Sequence, residues 1–396
     1  MGIVVEDREV IVVHYSEIGI KGRNRSFFEN KLVENIKGSL KGEIKEVYKR
    51  YGKIICELEK NVNSNKIINR LSKIPGISSF MFAKKALLDL NEIKVVALNI
   101  LKDKDFDTFR ISTSRSNKSF EKNSQEINRI IGEHIVKSLD KKVLLKDPDI
   151  DLHIEISEKE AFVGYEIFKG IGGLPVGSSG KLICSLSGGI DSPVAGFLMM
   201  KRGCKIIFVH IYNSTQTREA LLSKIEDIVR KLAEIQLSAK LYIIPFGNIQ
   251  RQIIAKIPSK YRMIVYRRFM FRIINEIGKK EKARGVVTGD SIGQVASQTI
   301  ENLSCIYDAS DLPVFSPLIG MNKDEIVNLA KWLGTYEYSI KPYPDCCSFM
   351  IAKHPETKAN LDKIKDLEKS IEDIDKLIKD CILRAKVRTF RGISTL

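Results

Sequence analysis

A short glycine- and serine-rich segment constrains the possible folds of this chain more than any other feature. Residues 187–192 read Ser-Gly-Gly-Ile-Asp-Ser, between an apolar stretch at 182–186 and an apolar helix that starts near Pro193. Two glycines in such a turn let backbone N–H groups approach a phosphate, and the helix N-terminus adds positive potential. The segment predicts a strand, a pyrophosphate-binding loop and a helix. A glycine turn with a helix cap is the alternative, and neither the P-loop nor the dinucleotide spacing is present.

The region around this loop alternates apolar strand candidates with helical stretches. The strand candidates lie at 182–186, 205–211, 240–245 and 285–288. This alternation is typical of a parallel sheet with crossover helices. The tail at 360–382 is predicted to form one charged amphipathic helix.

Two smaller α/β modules precede this region. The first has strand candidates at 9–15 and 53–59, a helix from about Asn24 and an amphipathic segment at 64–72, an order that fits a ferredoxin-like domain. The second has a strand near 109–113, a helix capped by Asn123 or Ser124, and strands at 151–156 and 161–166. The Gly-, Ser- and Pro-rich stretch at 170–181 is predicted to be the linker.

Composition limits the classes of partner and compartment. Lysine and arginine number 65 against 49 acids, a net charge of +16 that favours a polyanion such as nucleic acid, although a Lys-rich thermophile surface would look the same. The apolar runs are too short for a membrane span and no leader opens the sequence, so a cytoplasmic protein without a membrane partner is expected. The seven cysteines include no C-x-x-C pair, and reduced thiols are expected.

Residues 187–192 resemble the loop of the PP-loop ATP pyrophosphatases. Three further motifs narrow the resemblance to the tRNA 4-thiouridine sulfurtransferase (ThiI-like) family: Gly-Ile-Lys-Gly-Arg-Asn at 19–24, Gly-Gly-Leu-Pro-Val-Gly at 172–177, and Gly-Asp-Ser-Ile-Gly-Gln-Val-Ala-Ser-Gln-Thr at 289–299. The resemblance implies an α/β multidomain fold with a ferredoxin-like domain at 1–62, an RNA-binding THUMP domain at 63–168, a linker at 169–180, and a parallel-sheet PP-loop domain with a C-terminal helix at 181–396.

The resemblance implies a set of ATP-binding positions, with Mg²⁺ as the accompanying ion and no metal site assigned to the protein itself. Asp191 is expected to place the Mg²⁺-pyrophosphate or to orient the reacting groups. His210 could instead be a core histidine and Arg267 a surface ion-pair partner. The expected ATP-binding residues are Ser185, Leu186, Ser187, Gly188, Gly189, Asp191, Ser192, His210, Ile211, Arg267, Gly289 and Gln298.

The resemblance also assigns the sulfur chemistry. Cys347 matches the family's catalytic cysteine, which accepts a terminal sulfur as a persulfide, and Cys346 is a possible second cysteine that carries or resolves it. Inert loop thiols are the alternative, while Cys184 and Cys204 are expected in the core. No rhodanese domain follows, so a cysteine desulfurase, a separate rhodanese-like carrier or sulfide is expected as donor. An iron–sulfur cluster involving Cys305 is not expected.

The implied reaction adenylates a tRNA uridine, uridine-8 by resemblance, and replaces O4 with sulfur to give 4-thiouridine. A homodimer is expected. The alternative is another PP-loop tRNA-modifying enzyme or a tRNA-binding protein with a decayed ATP site. Sulfur delivery for thiamine thiazole synthesis is a possible minor role. The residues expected to contact tRNA phosphates, rather than to form a solvated basic face, are Lys21, Arg23, Arg25, Arg110, Arg115, Lys118 and Lys122.

Overall fold

A computed structural model describes residues 10–50, 52–212, 219–341 and 352–392, with the backbone alone described at 219–221. The chain divides into two compact units, residues 1–175 and 176–396. The division falls inside the Gly- and Ser-rich stretch predicted as the linker. Among the helices that the structure describes, none has both the length and the apolar character needed to cross a lipid bilayer.

In the described part of the first unit, residues 10–50 and 52–175, nine strands form one sheet and four α-helices lie beside it. Its strands are β1 (Val10–His14), β2 (Ile44–Arg50), β3 (Lys53–Leu58), β4 (Ser79–Ala86), β5 (Thr108–Arg115), β6 (Lys142–Val143), β7 (Ile150–Ile156), β8 (Ala161–Gly164) and β9 (Ile167–Lys169). Its helices are α1 (Arg25–Ser39), α2 (Ser64–Leu71), α3 (Leu90–Leu101) and α4 (Ser124–Leu139), with 3-10 turns at Glu17–Ile20 and Gly22–Asn24.

The strand order in this sheet is β2-β3-β1-β4-β8-β7-β5-β6, and β9 also pairs with β4. The first four strands are antiparallel, whereas β5 runs parallel to both β7 and β6. Asn123 caps α4 through a capping box with Glu126, as predicted. The alternating apolar residues of the strands are buried under the helices, so the predicted α/β modules are confirmed.

The ferredoxin-like core is larger than the sequence indicated. Ile67, Leu71 and Phe80 are buried together with Ile11 and Leu32, in one cluster under α1 and α2. The core therefore extends past residue 62, the predicted end of the first domain. The strand β4 was not recognised in the sequence, and it supplies the pairing partner on the other side of β1.

Glu155 on β7 forms a buried ion-pair cluster in this unit. Its carboxylate accepts from His14 Nε2, 2.9 Å away, and from the nearly buried ammonium of Lys53. Burial by itself raises the pKa of Glu155, yet the hydrogen bonds and charges of His14 and Lys53 lower that pKa to about 2. The carboxylate is thus ionised in the folded unit at neutral pH.

Glu155→Gln should lower the stability of the first unit in a pH-dependent way. The folded pKa lies below the unfolded one, so the stabilisation is present above about pH 4.5 and is lost as the pH falls toward about pH 2. The expected loss at pH 7 is about 3 kcal/mol in the free energy of unfolding. Urea unfolding of both chains at pH 7 and pH 3 measures it, and an equal loss at the two pH values would contradict the assignment.

The second unit is built around a six-stranded sheet. Its strands are β10 (Lys181–Ser185), β11 (Lys205–Tyr212), β12 (Ser238–Pro245), β13 (Val286–Val287), β14 (Val314–Phe315) and β15 (Lys386–Arg391). Its helices are α5 (Asp191–Lys201), α6 (Glu219–Gln236), α7 (Gly247–Lys256), α8 (Arg262–Glu281), α9 (Ile300–Tyr307), α10 (Lys323–Leu333), α11 (Tyr336–Ser339), α12 (Leu361–Glu368) and α13 (Ile374–Leu383), with 3-10 turns at Ser259–Tyr261 and Ala296–Gln298.

The strand order is β14-β13-β10-β11-β12-β15, and all pairs are parallel except β12 with β15. The chain leaves β10 toward β11 and β12, then returns to the other side of β10 with β13 and β14. The predicted parallel sheet is confirmed. The order reverses beside β10, and in open α/β sheets ligands bind outside the carboxyl ends of the strands at such a point.

The tail differs from the single helix predicted at 360–382. It forms α12 and α13, separated by a turn in which Asp373 has a φ of +51°. Between them, Ile371 is buried in the same core as Ile364 and Ile378. The break lets both short helices turn their apolar residues toward α8, which a straight helix of this length could not do.

Candidate active site

The two loops at the reversal of strand order face one cavity. One loop follows β10 and contains residues 186–190, and the other follows β13 and begins at Thr288. The cavity has a volume of about 530 Å³, and helix α8 forms an apolar wall with Met263, Met270 and Phe271. Seven of the residues predicted to bind ATP line it: Ser185, Ser187, Asp191, Ser192, Arg267, Gly289 and Gln298.

The loop after β10 is held in a tight turn by its own hydroxyls. The Ser187 backbone N–H donates to Ser192 Oγ at 3.1 Å, and the Gly189 N–H donates to Ser187 Oγ at 3.2 Å. Gly188 has a φ of +86°, and a Cβ there would lie 2.8 Å from Ile225 Cδ1. Since α5 begins at Asp191, its unpaired N–H groups point into the same turn, which suits it to bind an anion.

Asp191 is joined to two distant parts of the chain. Its Oδ1 accepts from Lys323 Nζ at 2.7 Å, and its Oδ2 accepts from Gln294 Nε2 at 2.9 Å. Lys323 is the first residue of α10, and Gln294 follows β13 in the loop. The carboxylate is only about one-fifth exposed, so it is fixed at the end of the phosphate-binding turn. A bound polyphosphate would find the Lys323 ammonium beside it.

Arg267 lies on the opposite side of the cavity, on α8. Its Nη2 donates to both carboxylate oxygens of Asp290, at 2.9 and 2.7 Å. The Arg267 side chain is 16% exposed, so its ion pair with Asp290 is largely buried and is not the surface ion pair given as the alternative. The loop turn and this arginine provide donors from two sides of one cavity, which is the arrangement that phosphoryl and nucleotidyl transfer require.

Gly289 is the point where the two loops come closest. A Cβ at this position would lie 2.7 Å from the Ser192 N atom and 2.9 Å from the Asp191 carbonyl carbon, both in the first turn of α5. Any side chain there would push the helix N-terminus away from β13. The glycine thus allows the two walls of the cavity to meet.

Three other predicted ATP-binding residues, Leu186, His210 and Ile211, do not line the cavity. His210 is buried, and its Nδ1–H donates to the Leu186 carbonyl oxygen at 2.8 Å. Ile211 is buried in the core of the second unit. His210 and Leu186 tie the ends of β10 and β11 together, as the core-histidine alternative expected. Contact of Leu186, His210 and Ile211 with ATP stays a prediction.

The sequence alone did not identify several residues of this site. Asp290 and Gln294 stand inside the quoted 289–299 motif, yet no role was assigned to them. Lys323 lies 132 residues after its partner Asp191, so no local pattern could pair the two. The signal that could have found it is a lysine in the first turn of a helix that follows the last strand of a parallel sheet.

Comparison with known proteins identifies the family. Residues 177–372 match the family model described as thiamine biosynthesis protein (ThiI), residues 10–81 match the ThiI ferredoxin-like domain, and residues 88–166 match the THUMP domain. A probable tRNA sulfurtransferase of Thermoanaerobacter pseudethanolicus is 42% identical over 368 residues, covering 92% of this chain and 96% of the relative. The chain belongs to the ThiI family.

Other members of the family also match this chain over nearly its whole length. A probable tRNA sulfurtransferase of Halothermothrix orenii is 41% identical over 391 residues and covers 96% of this chain and 98% of its own. A crystal structure of a 4-thiouridine synthetase–RNA complex with bound ATP superposes with a TM-score of 0.89 at 36% identity, over 97% of this chain and 100% of the other. The ferredoxin-like, THUMP and PP-loop architecture expected from the sequence is thereby confirmed.

The cysteines of this ThiI-family chain fall into two groups. Cys346 and Cys347, the predicted sulfur-handling pair, lie outside the described residues. Cys184 and Cys204 are buried, as predicted, and burial raises the pKa of Cys184 to about 12. Cys305 is also buried and donates to the Ala359 carbonyl oxygen. Within the described ranges, no group of three or more His, Cys, Asp or Glu side chains is arranged to hold a metal ion.

Three of the seven basic residues predicted to contact RNA have hydrogen-bond or ion-pair partners within the first unit. Arg25 donates to Glu29 Oε1 at 2.8 Å, Arg110 pairs with Asp151, and Arg115 Nη1 donates to the Lys122 carbonyl oxygen at 2.6 Å. Each of these side chains already binds an acceptor within the protein. It would have to leave that acceptor in order to contact an RNA phosphate. Whether they touch RNA stays a prediction.

The remaining predicted basic residues differ in their exposure and surroundings. Arg23 and Lys118 are exposed, Lys122 is half-buried, and Lys21 Nζ lies 5.2 Å from the centroid of the Phe28 ring. Arg23 lines a groove of about 610 Å³ that also contains basic residues the sequence did not single out. These are Lys49, Arg50 and Lys159.

Proposed function

We propose that this ThiI-family tRNA sulfurtransferase adenylates O4 of a tRNA uridine, uridine-8 by resemblance, and then replaces that oxygen with sulfur from a persulfide on Cys347. In the first step the uridine O4 forms a bond to the α-phosphorus of ATP, the N3 proton is lost, and pyrophosphate leaves. In the second step the terminal persulfide sulfur bonds to C4 and AMP leaves with O4. Adenylation makes a poor leaving oxygen into a good one.

A second thiol completes the cycle. After sulfur transfer, the product remains joined to Cys347 through the S–S bond. Attack of a thiolate on the Cys347 sulfur releases 4-thiouridine, and Cys346 is the proposed source of that thiolate. The resulting disulfide is reduced by a thiol reductant in solution. Cys347 lies five residues before Ala352, which lines the cavity, and five extended residues span at most about 18 Å.

The observation that carries the proposal is the shared cavity at the reversal of strand order. The turn at 187–190 offers backbone N–H groups and the α5 N-terminus to the pyrophosphate, while Arg267 faces it from α8. A pentavalent α-phosphorus gains negative charge on its equatorial oxygens, and the Arg267 and Lys323 cations can stabilise it. The apolar α8 wall excludes water, which otherwise competes with the uridine oxygen for the phosphorus.

The residues present fit a magnesium ion held together with the phosphates. Mg²⁺ prefers oxygen ligands and is usually bound by one or two carboxylates plus substrate phosphates. Asp191 supplies one such carboxylate at the end of the turn and is about one-fifth exposed, whereas the Asp290 side chain is 5% exposed and held by Arg267 and Tyr307. Asp191 would therefore hold the ion, which neutralises phosphate charge when bound.

We further propose that tRNA is bound by the basic groove of the first unit. Arg23 and Lys159 are exposed cations that line this groove from two different loops, and Lys118 is an exposed cation of a third loop of the same unit. A folded tRNA presents phosphates at regular spacing along an A-form helix, and such contacts position the substrate without reading its sequence. Contacts of this kind are screened by salt.

Arg23→Gln should weaken tRNA binding uniformly across tRNA sequences. The loss of one phosphate contact is expected to lower the slope of log Kd against log salt concentration by about one. Filter binding of unmodified tRNA between low and moderate salt measures it. Lys41→Gln is the matched control, because Lys41 is exposed beyond the opposite end of α1. Equal slopes for wild type and Arg23→Gln would exclude Arg23 from the interface.

The test of the proposed function is nucleoside mass spectrometry of unmodified tRNA treated with this protein, Mg-ATP, cysteine, a cysteine desulfurase and a thiol reductant. We expect 4-thiouridine, with one pyrophosphate and one AMP per thiolated nucleoside, and no product from tRNA in which uridine-8 is replaced by cytidine. A different thiolated nucleoside would favour another PP-loop tRNA-modifying enzyme. tRNA binding without pyrophosphate release would favour a binding protein.

The remaining partners follow from this reaction. We propose a cysteine desulfurase or a separate rhodanese-like carrier as the sulfur donor, acting in the cytoplasm where tRNA is modified. A homodimer and a contribution to thiamine thiazole synthesis stay predictions.

A further inference from the structure

One buried carboxylate joins three elements of the candidate active site. Asp290 is 4% exposed and follows β13 directly after Gly289. Arg267 on α8 donates to both of its oxygens, and Gln298 Nε2 donates to Oδ1 at 3.1 Å. The Tyr307 hydroxyl on α9 donates to Oδ2 at 2.8 Å. Two predicted ATP-binding side chains from different elements therefore share a single acceptor.

The chemistry of this cluster defines the direction of every hydrogen bond. Burial by itself raises the pKa of Asp290, but the charge and hydrogen bonds of Arg267 hold that pKa below its usual range. Burial and the Asp290 charge raise the pKa of Tyr307 to about 12. At neutral pH the carboxylate is thus an ionised acceptor and the phenol a protonated donor. Ser316 Oγ, 2.8 Å from the Tyr307 oxygen, holds the phenol from its other side.

The amide of Gln298 is oriented by this arrangement. Its NH₂ group donates to Asp290, so its carbonyl Oε1 points elsewhere, and Oε1 is buried with no hydrogen-bond partner among the described residues. A buried acceptor without a partner is unfavourable, and a ligand that donates an N–H group would satisfy it. Nucleotide bases carry such groups, the 6-amino group of adenine among them.

Arg267 is oriented in the same way. Its Nη2 donates to Asp290, and the planar guanidinium carries further N–H groups that can donate to a ligand. Fixing Nη2 removes most of the rotational freedom of a long side chain before a ligand arrives. The loss of that freedom on binding would otherwise oppose the binding of the ligand.

We propose that Asp290 is a positioning residue for the nucleotide: it acts through Arg267 and Gln298, setting the guanidinium toward the phosphates and the amide carbonyl toward an N–H donor of the ligand. Asp290 does not contact the nucleotide itself, since both of its oxygens are already occupied. The inference rests on the proposed function only in taking ATP as the ligand of this cavity. The Tyr307 hydroxyl helps to hold Asp290 in place through its hydrogen bond to Oδ2.

The test is equilibrium binding of Mg-ATP to the full chain by titration calorimetry without tRNA. We expect Asp290→Asn to weaken binding by about ten- to a hundredfold, because the charge-assisted hydrogen bonds to Arg267 are lost. Tyr307→Phe removes one hydrogen bond and should weaken binding by about two- to tenfold. In an Arg267→Met, Gln298→Leu background, the Asp290→Asn substitution should change the affinity by less than about twofold, because the residues it acts through are absent.

Asp308→Asn is the matched control for stability. Asp308 pairs at 3.1 Å with Arg268, the next residue of α8, but on the side away from the cavity. This variant should lower the thermal midpoint without changing the Mg-ATP affinity. Unchanged affinity in Asp290→Asn, or an undiminished effect of that substitution in the Arg267→Met, Gln298→Leu background, would overturn the inference. Wild type that binds Mg-ATP but forms no 4-thiouridine would instead contradict the proposed sulfur transfer.

Discussion

Replacing Cys347 with serine is expected to reduce 4-thiouridine formation by roughly a thousandfold or more, while adenylation of the tRNA and pyrophosphate release continue. A serine hydroxyl cannot carry a terminal sulfur as a persulfide and is a much weaker nucleophile than a thiolate. The measurement pairs nucleoside mass spectrometry with a pyrophosphate assay, with sulfur supplied by a cysteine desulfurase. Adenylated tRNA should accumulate in the variant.

Two comparisons make this result specific. Free sulfide at high concentration should partly restore thiolation in Cys347→Ser, because it can attack the adenylated C4 directly. In the absence of a thiol reductant, Cys346→Ser should retain a single round of sulfur transfer but fail to release the product. Full thiolation by Cys347→Ser together with inactivity of Cys346→Ser would make Cys346 the carrier and would contradict the assignment.

The second large effect is expected from Gly289→Ala, which should weaken Mg-ATP binding by roughly 5- to 150-fold. The added Cβ would lie 2.7 Å from the Ser192 N atom, so the first turn of α5 must move away from β13. Overpacking of this kind is unfavourable by about 1–3 kcal/mol, and the shift displaces the N–H groups that face the phosphates. Titration calorimetry of both chains with Mg-ATP measures the change.

Gly320→Ala is the control for this substitution. No atom lies within 4 Å of a Cβ built at Gly320, which belongs to the same unit. Its Mg-ATP affinity should match that of wild type. If Gly289→Ala also bound Mg-ATP as tightly as wild type, close packing of the two loops would not be what shapes the phosphate site.

Local sequence patterns predicted most of the elements around the site. The apolar segment before Ser187, the glycine pair and the helix from Asp191 are contiguous, so hydrophobic periodicity and turn chemistry identify them together. The capping box at Asn123 is equally local. The same reasoning missed β4, and it merged α12 and α13 into one helix. In both places the deciding contacts come from strands or helices elsewhere in the chain.

The basic residues illustrate a different limit. Arg23 and Arg25 are equivalent as sequence, yet Arg23 is exposed while Arg25 is bound to Tyr15 and Glu29. Charge counting predicts a polyanionic partner for the whole chain but cannot separate cations that hold a loop from those that face solvent. Only packing distinguishes them, because the acceptor for each arginine is set by the fold.

The family, the α/β modules and the glycine-rich turn after β10 could be predicted from the sequence, because each is encoded in residues adjacent along the chain. Only the folded chain shows that Lys323 pairs with Asp191, that Gly289 lies against the α5 N-terminus, and that Asp290 accepts hydrogen bonds from both Arg267 and Gln298. These contacts exist because the strand order reverses beside β10, which brings the loop after β13 against the loop after β10 from a hundred residues away.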